Sequence, residues 1–415
     1  MSPLRSYRNL FSLTGVVYIL VAFLARLPVA MSQIGALLLV SAATGSYGAG
    51  GAAAGATAVV NAVASPVAGA LTDRIGQRPV LLVQSLVGTA GLVWLVLAAS
   101  SYTSGDPWWP LVLIAGASGA FLPQVGTLAR VRWRPIARRS GRSEQPLVDA
   151  AFSYEGAADE ASFVLGPAVV GLVAAMLNPS AALIAAGVLL GLFGTWFAVH
   201  PTAAVVPRRD ATVSREPLPA VLVVLVLAQL TIGMIFGSVQ AGASVLATQA
   251  GEPGLTGLLH ALLGIGSVTA GLAVVAVPDV FRYENRLRVF TVALALLSMP
   301  LLLVGSIATL VPVLVVLGLA IAPSMITTFT LAERINPPSR LGGAMTLLAA
   351  ATGLGYALGS STAGRLADWG GYTPAFAVTI VGASLAAIIS LVGARGLRRA
   401  QGARRAQSVD VDENT

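Results

Sequence analysis

The chain has 415 residues, 56% of them hydrophobic and only 10% charged, with a mean hydropathy of +0.83. That composition excludes an ordinary soluble globular protein. Cysteine is absent, which excludes disulfides, thiolate metal sites and cysteine nucleophiles. The net charge is +8 and every basic residue is Arg; with the Ala and Gly excess, the lack of Lys points to a GC-rich, bacterial genome.

In chain order, the start MSPLRSYRNLF has too short a lead and no small-residue cleavage site for a removed signal peptide, and reads as a tail entering a first span. Apolar runs predict spanning helices at 11–40, 46–71, 80–100, 108–129, 149–177 and 181–199. The first exceeds the about 20 residues a bilayer needs, so it should tilt or kink, with Pro28 as the kink. A proline-rich linker follows, and six more spans are predicted at 220–249, 255–277, 289–308, 310–333, 342–366 and 374–394. The expected organisation is a six-helix bundle over 1–200, a cytoplasmic linker over 201–219, a second bundle over 220–396 and a disordered tail over 397–415. The fold class is therefore an all-α membrane protein with twelve transmembrane helices in two six-helix, pseudo-symmetric halves.

Arginine placement gives the orientation. All but two of the 25 basic residues fall in the tails, the central linker and alternate loops, the exceptions being Arg26 and Arg365. This positive-inside pattern predicts an inner (plasma) membrane protein with both termini cytoplasmic. It also assigns the positive charge to lipid headgroups and excludes nucleic acid as partner. Trp108, Trp109 and Trp369 mark outer helix ends and Trp133 the inner surface.

The segment 149–171 carries Glu155, Asp159 and Glu160 inside a span. A carboxylate at mid-membrane costs at least about 2.5 kcal/mol, so it needs protein, water, a cation or a proton beside it. The obvious cation is Arg26. Counted as ionised, that group carries one positive charge against three negative ones, which predicts a proton on one carboxylate for part of a cycle. Asp159 is the first choice, for its depth and its place on the Gly166 face, and Glu160 the reserve; the alternative is a set of structural ion pairs. His260 is either a relay member or a packed helix-face residue.

The loop after the second span reads Gly69-Ala-Leu-Thr-Asp73-Arg74-Ile-Gly76-Gln77-Arg78. It resembles the loop 2–3 signature of the major facilitator superfamily, matching at Gly69, Asp73, Arg74, Gly76 and Arg78 and departing at Gln77, where Arg is usual. The resemblance implies alternating access between two halves, with Asp73 pairing Arg130 as a cytoplasmic-side latch. Gly166-Pro167 with Gly171 resembles the helix-five motif of the twelve-helix drug:proton antiporter branches and implies a flexing helix. An Arg usual within helix four of those branches is missing from AGASGAFLPQVGTLA. Cavity-lining helices one, four, seven and ten would contribute Met31, Gln33, Phe121, Gln124, Gln229, Met234, Phe236, Gln240, Met325, Thr328 and Phe329, a mixed apolar and amide surface suited to amphiphilic or hydrophobic molecules.

Glycines at 51 and 55, 166 and 171, 264, 266 and 271, and 355 and 359 recur on every third helix, which predicts close-packed middle helices. No HExxH, P-loop or GxSxG is present, so the expected function is not enzymatic. It is secondary active transport, with proton-coupled efflux first and an uptake symporter or facilitator for a small metabolite second. A receptor or scaffold would not need charges at mid-membrane. The expected partners are a small-molecule substrate, protons and lipid around a monomer, with the proton gradient as energy source and no cofactor.

Overall fold

The computed structural model describes residues 3–141, 143–206, 218–252, 255–278 and 280–413. Inside a bilayer only internally bonded backbone is tolerated, and the described chain is helical almost throughout. The helices are α1 (Pro3–Thr44), α2 (Tyr47–Ile75), α3 (Gln77–Ser100), α4 (Trp109–Ala120), α5 (Val125–Arg139), α6 (Glu144–Met176), α7 (Pro179–Leu189) and α8 (Thr195–Val199). They continue with α9 (Leu222–Gln249), α10 (Thr256–Ala273), α11 (Tyr283–Ser298), α12 (Ile307–Ile335), α13 (Leu341–Gly370) and α14 (Tyr372–Glu413). Twelve spans among the described residues are long and apolar enough to cross a membrane, with α4 and α5 sharing the fourth and α7, a π-helical turn and α8 sharing the sixth.

Helix ends are set locally. Ser46 accepts the Ala49 N–H, Asn178 accepts the Ala181 N–H ahead of Pro179, and Ser306 with Thr309 forms a reciprocal cap on α12. Between α2 and α3 the chain turns on Gly76 at φ +92°, a conformation that favours glycine.

The chain clusters into two compact units, 3–151 with 158–211, and 152–157 with 212–415. The first has its own core, including Leu27, Met31, Leu92, Leu95, Leu111 and Leu183. The core of the second includes Ile232, Ile235, Leu263, Leu294, Leu317 and Phe376.

Several expectations are corrected. The first helix leaves helical geometry at Gly15 (φ +79°), and Pro28 lies inside helical backbone. The fourth span is interrupted at 121–124 and then runs on to Arg139, so the arginines placed in a long loop after it are mostly helical. Helix α14 continues through Glu413, where the composition predicts a disordered tail; Ala, Arg and Gln without proline extend the preceding helix at little cost. Most of the linker, 207–217, lies outside the described residues. Trp133 is buried and meets Tyr18 edge-on at 5.6 Å, so it packs inside the first unit.

Glycine packing is uneven. In the second unit a side chain added at Gly355 or Gly359 of α13 would strike the backbone of Leu230 or Met234 in α9, and one at Gly233 or Gly237 of α9 would strike Thr352 or Tyr356. Gly266 and Gly318 make the same reciprocal approach between α10 and α12. Such contacts replace the hydrophobic drive that lipid cannot supply. By contrast, Gly51, Gly55 and Gly171 face open space, contrary to the close packing predicted for them. Gly359→Ala should therefore destabilise the purified protein by roughly 1–3 kcal/mol, since neither backbone can yield, whereas Gly55→Ala leaves it unchanged. Thermal unfolding of both variants in one detergent measures the contrast.

Candidate functional site: a shared carboxylate in the first unit

Asp159 of α6 lies between two arginines. Arg26 of α1 places Nη1 3.0 Å from Oδ1, and Arg130 of α5 places Nη1 2.7 Å from Oδ2. The guanidiniums are almost fully enclosed, with 3% and 1% of their side chains exposed, against 21% for Asp159. Arg26 is held further by its Nε donating to Ala22 O at 3.1 Å.

Three backbone features assemble this triad. Gly166, two turns beyond Asp159, packs on Ala30, one turn beyond Arg26, where an added Cβ would come within 2.9 Å of the Ala30 methyl. That approach brings α6 within reach of α1. On the other side, Gly126 leaves the space that the Asp159 carboxylate occupies, because a Cβ there would overlap Oδ1. Gly126 is also in the first turn of α5, whose N-terminal dipole favours an anion.

The third feature is the interruption of the fourth span. Pro123 has no N–H to return to Gly119 O, and the chain is non-helical from 122 to 124. Asn61 of α2 compensates: its Nδ2 donates to Gly119 O at 3.0 Å and to Leu122 O at 2.8 Å, while its Oδ1 accepts from Gln124 Nε2 at 2.7 Å. The helix that resumes at Val125 carries Arg130 inside the candidate span 109–139. Broken helices in membranes persist where other protein groups satisfy the freed backbone. Pro123 between Gly119 and Gly126 was the signal in the sequence, and the continuous span drawn over 108–129 overlooked it.

The triad joins two predicted residues, Arg26 and Asp159, to a third given another partner. Arg130, expected to answer Asp73, has Asp159 as a partner. Glu155 is 0% exposed and Glu160 5%, so Asp159 is the most open of the three. Glu155 falls in 152–157, the segment grouped with the second unit.

In the loop motif, Gly69 and Asp73 are buried, Arg74 and Arg78 exposed, and Gly76 makes the turn. Gln77, the departure from the family pattern, is fully engaged. Its Oε1 accepts Arg132 Nε at 2.8 Å and its Nε2 donates to Leu128 O at 3.1 Å. Arg132 is itself buried, stacks 3.6 Å from the Phe197 ring centre and donates to Phe197 O and Thr202 Oγ1. An Arg at 77 would set a second cation against this one, so the Gln fits its neighbour.

Of the expected cavity residues, Met31 is fully enclosed in the first core and Phe329 is buried in the second unit. Gln33, Phe121, Gln124, Met234, Phe236, Gln240 and Met325 are part-buried; Gln240 accepts the Tyr356 hydroxyl. Gln229 and Thr328 are buried, with Gln229 donating to Thr352. His260 is part-buried on α10, and its Nδ1 makes no hydrogen bond among the described residues. Arg334 lies over the Tyr283 ring at 3.9 Å, near the end of α12.

The profile of the Major Facilitator Superfamily matches residues 18–332 and 254–410. The chain belongs to this superfamily. The superfamily member is a transporter and not an enzyme, and its helices make it a multi-pass membrane protein. No curated protein matches it by sequence. Among solved structures it is similar to the human organic anion transporter MFSD10 (TETRAN), at TM-score 0.66 and 17% identity over 90% of this chain and 98% of that one. It is also similar to a bacterial homologue of the iron transporter ferroportin in its outward-facing state, at TM-score 0.66 and 12% identity over 91% and 98%. The same homologue with soaked iron gives 0.62, with 12% identity over 90% and 98%. At these identities the likeness is one of fold.

Two predictions follow from this geometry. Gly126→Ala should push the Asp159 carboxylate off at least one guanidinium and destabilise the protein by roughly 1–3 kcal/mol; the companion Gly126→Ala/Asp159→Ala double variant should lose less than the sum of its single variants, as a double-mutant cycle on thermal unfolding will show. The second concerns His200, just beyond the sixth span. Burial, and secondarily the charge of Arg132, holds its imidazole below its usual pKa of 6.5. Its Nδ1 accepts the Thr202 N–H at 3.3 Å, as a neutral ring does. The folded state then binds fewer protons than the unfolded one, so stability is full above the ordinary value and falls as pH drops through it. His200→Gln should flatten the loss of thermal stability between about pH 7.5 and about pH 5.5.

Proposed function

We propose that the protein is a proton-coupled secondary transporter that exports amphiphilic or hydrophobic small molecules by alternating access, with the proton gradient as its energy source. The observation that carries this reading is the Arg26–Asp159–Arg130 triad inside apolar spans. Buried charge of this kind is costly and is retained in membranes chiefly at ion and substrate pathways.

Arg130 changes the charge count. Counted as ionised, two arginines now stand against Glu155, Asp159 and Glu160, leaving one net negative charge that a single proton neutralises. Asp159 is engaged by both guanidiniums, and Glu160 and Glu155 stand beside it as carboxylates to examine as carriers. Arginine distribution supports an inner-membrane location with cytoplasmic termini, and a monomer acting with lipid, protons and one small-molecule substrate completes the reading. Relatives of the same fold are described as an organic anion transporter and a homologue of an iron transporter, so the fold leaves substrate and direction open to the site.

The experiment is flux in proteoliposomes under an imposed proton gradient, comparing Glu155→Gln, Asp159→Asn and Glu160→Gln with the parent chain. Loss of gradient-driven flux in at least one, with downhill exchange retained, is expected. If all three match the parent, proton coupling through α6 is wrong. Protection or sensitisation of cells across a toxic-compound panel separates export from an uptake symporter or facilitator.

A further inference from the structure

We infer that Asp159 is an internal stand-in for the substrate's own head group, and that the transported molecule is an amphiphile bearing a carboxylate, bound by Arg26 and Arg130 in its place. The inference rests on the transporter reading and adds the substrate class.

The geometry of the triad supplies the argument. Each oxygen of one carboxylate takes one guanidinium N–H, Oδ1 from Arg26 at 3.0 Å and Oδ2 from Arg130 at 2.7 Å. The cations come from different helices, α1 and α5, and converge on a spacing that any carboxylate reproduces. Accessibility is graded in the same sense: the arginines are closed to solvent, and Asp159 is the partly open member. An anion therefore reaches the guanidiniums by replacing Asp159 and not by adding beside it. The local charge also fits. With Asp159 displaced, the two positive charges of Arg26 and Arg130 are left to an incoming anion, and the start of α5 beside Gly126 adds a favourable dipole for it. Glu155 and Glu160 are the charged groups nearest Asp159 along α6, both buried, and they oppose a second anion, which limits the ligand to one negative charge. An organic cation would face two arginines and gain only the carboxylate they already hold.

The exchange makes the protein its own competitor. Removing the Asp159 carboxylate should strengthen binding of an external carboxylate, whereas a merely structural ion pair would lose stability on the same change and gain no affinity.

The test uses the full chain purified in detergent, with benzoate, benzylamine and benzyl alcohol as probes of one size and three charges. Wild-type protein should bind benzoate at least about tenfold more tightly than either of the others. Asp159→Ala and Asp159→Asn should each raise benzoate affinity by about tenfold, and Arg26→Gln or Arg130→Gln lower it by a similar factor, one charged hydrogen bond being worth that much. Arg26→Lys and Arg130→Lys keep the charge where the Gln variants fail to fold. Equal binding of the three probes, or weaker benzoate binding by both Asp159 variants, overturns the inference. Reconstitution separates it from the transporter reading. Gradient-driven flux of a neutral lipophile with no preference for benzoate leaves transport standing and removes the inference. Selective, Asp159-limited benzoate binding without flux keeps the anion site and removes the transport reading.

Discussion

Two enclosed guanidiniums that share one carboxylate form the interaction on which the first unit depends. Either arginine alone in an apolar span would carry an uncompensated charge, and the cost of that exceeds what a single surface pair returns. Asp159 meets both at hydrogen-bonding distance. The arrangement is demanding because its members come from three spans, and a shift of any one by about an ångström would take a donor beyond bonding range. Packing on either side limits such shifts. Gly166 holds α6 against α1, and Gly126 clears the volume that the carboxylate fills.

The interruption of the fourth span belongs to the same design. A continuous helix through 121–124 would carry Arg130 to a different height and azimuth, since helical phase advances by a fixed angle per residue. Breaking it exposes carbonyls in a place without water, and Asn61 meets two of them while bonding Gln124. The polar network is thus closed by side chains from α2 and by the broken strand of backbone itself. Beyond it, Arg132 is engaged by Gln77, Phe197 and Thr202. The substitution of Gln for the family's usual Arg at 77 is read most simply as an accommodation to that buried cation.

Helix packing differs between the units for a reason visible in the glycines. In the second unit α9 with α13, and α10 with α12, approach through reciprocal glycines set against opposing carbonyls. Such contacts are short, rigid and intolerant of any added atom. The first unit uses fewer of them and relies more on its charged triad and on aromatic packing of Tyr18 with Trp133 and Phe197. Glycine enrichment along a span therefore has two meanings, and only the opposing surface tells them apart.

Composition, hydropathy and arginine placement by themselves determined the all-helical membrane class and the number of spans, because burying backbone in lipid leaves so few solutions, and the superfamily was legible as a resemblance at the loop after the second span. The loop motif at Gly69–Arg78 and the charged run in α6 were also legible, since charge in an apolar segment is conspicuous. What the linear chain could not fix was partnership. Arg26 and Asp159 are 133 positions apart and Arg130 lies 29 from Asp159, and nothing in local sequence marks Asp159 as the choice for Arg130. That choice followed from the phase shift introduced at Pro123, from the space left by Gly126 and from the close approach at Gly166. Each is a property of two backbones in contact, and so only the tertiary structure decided it.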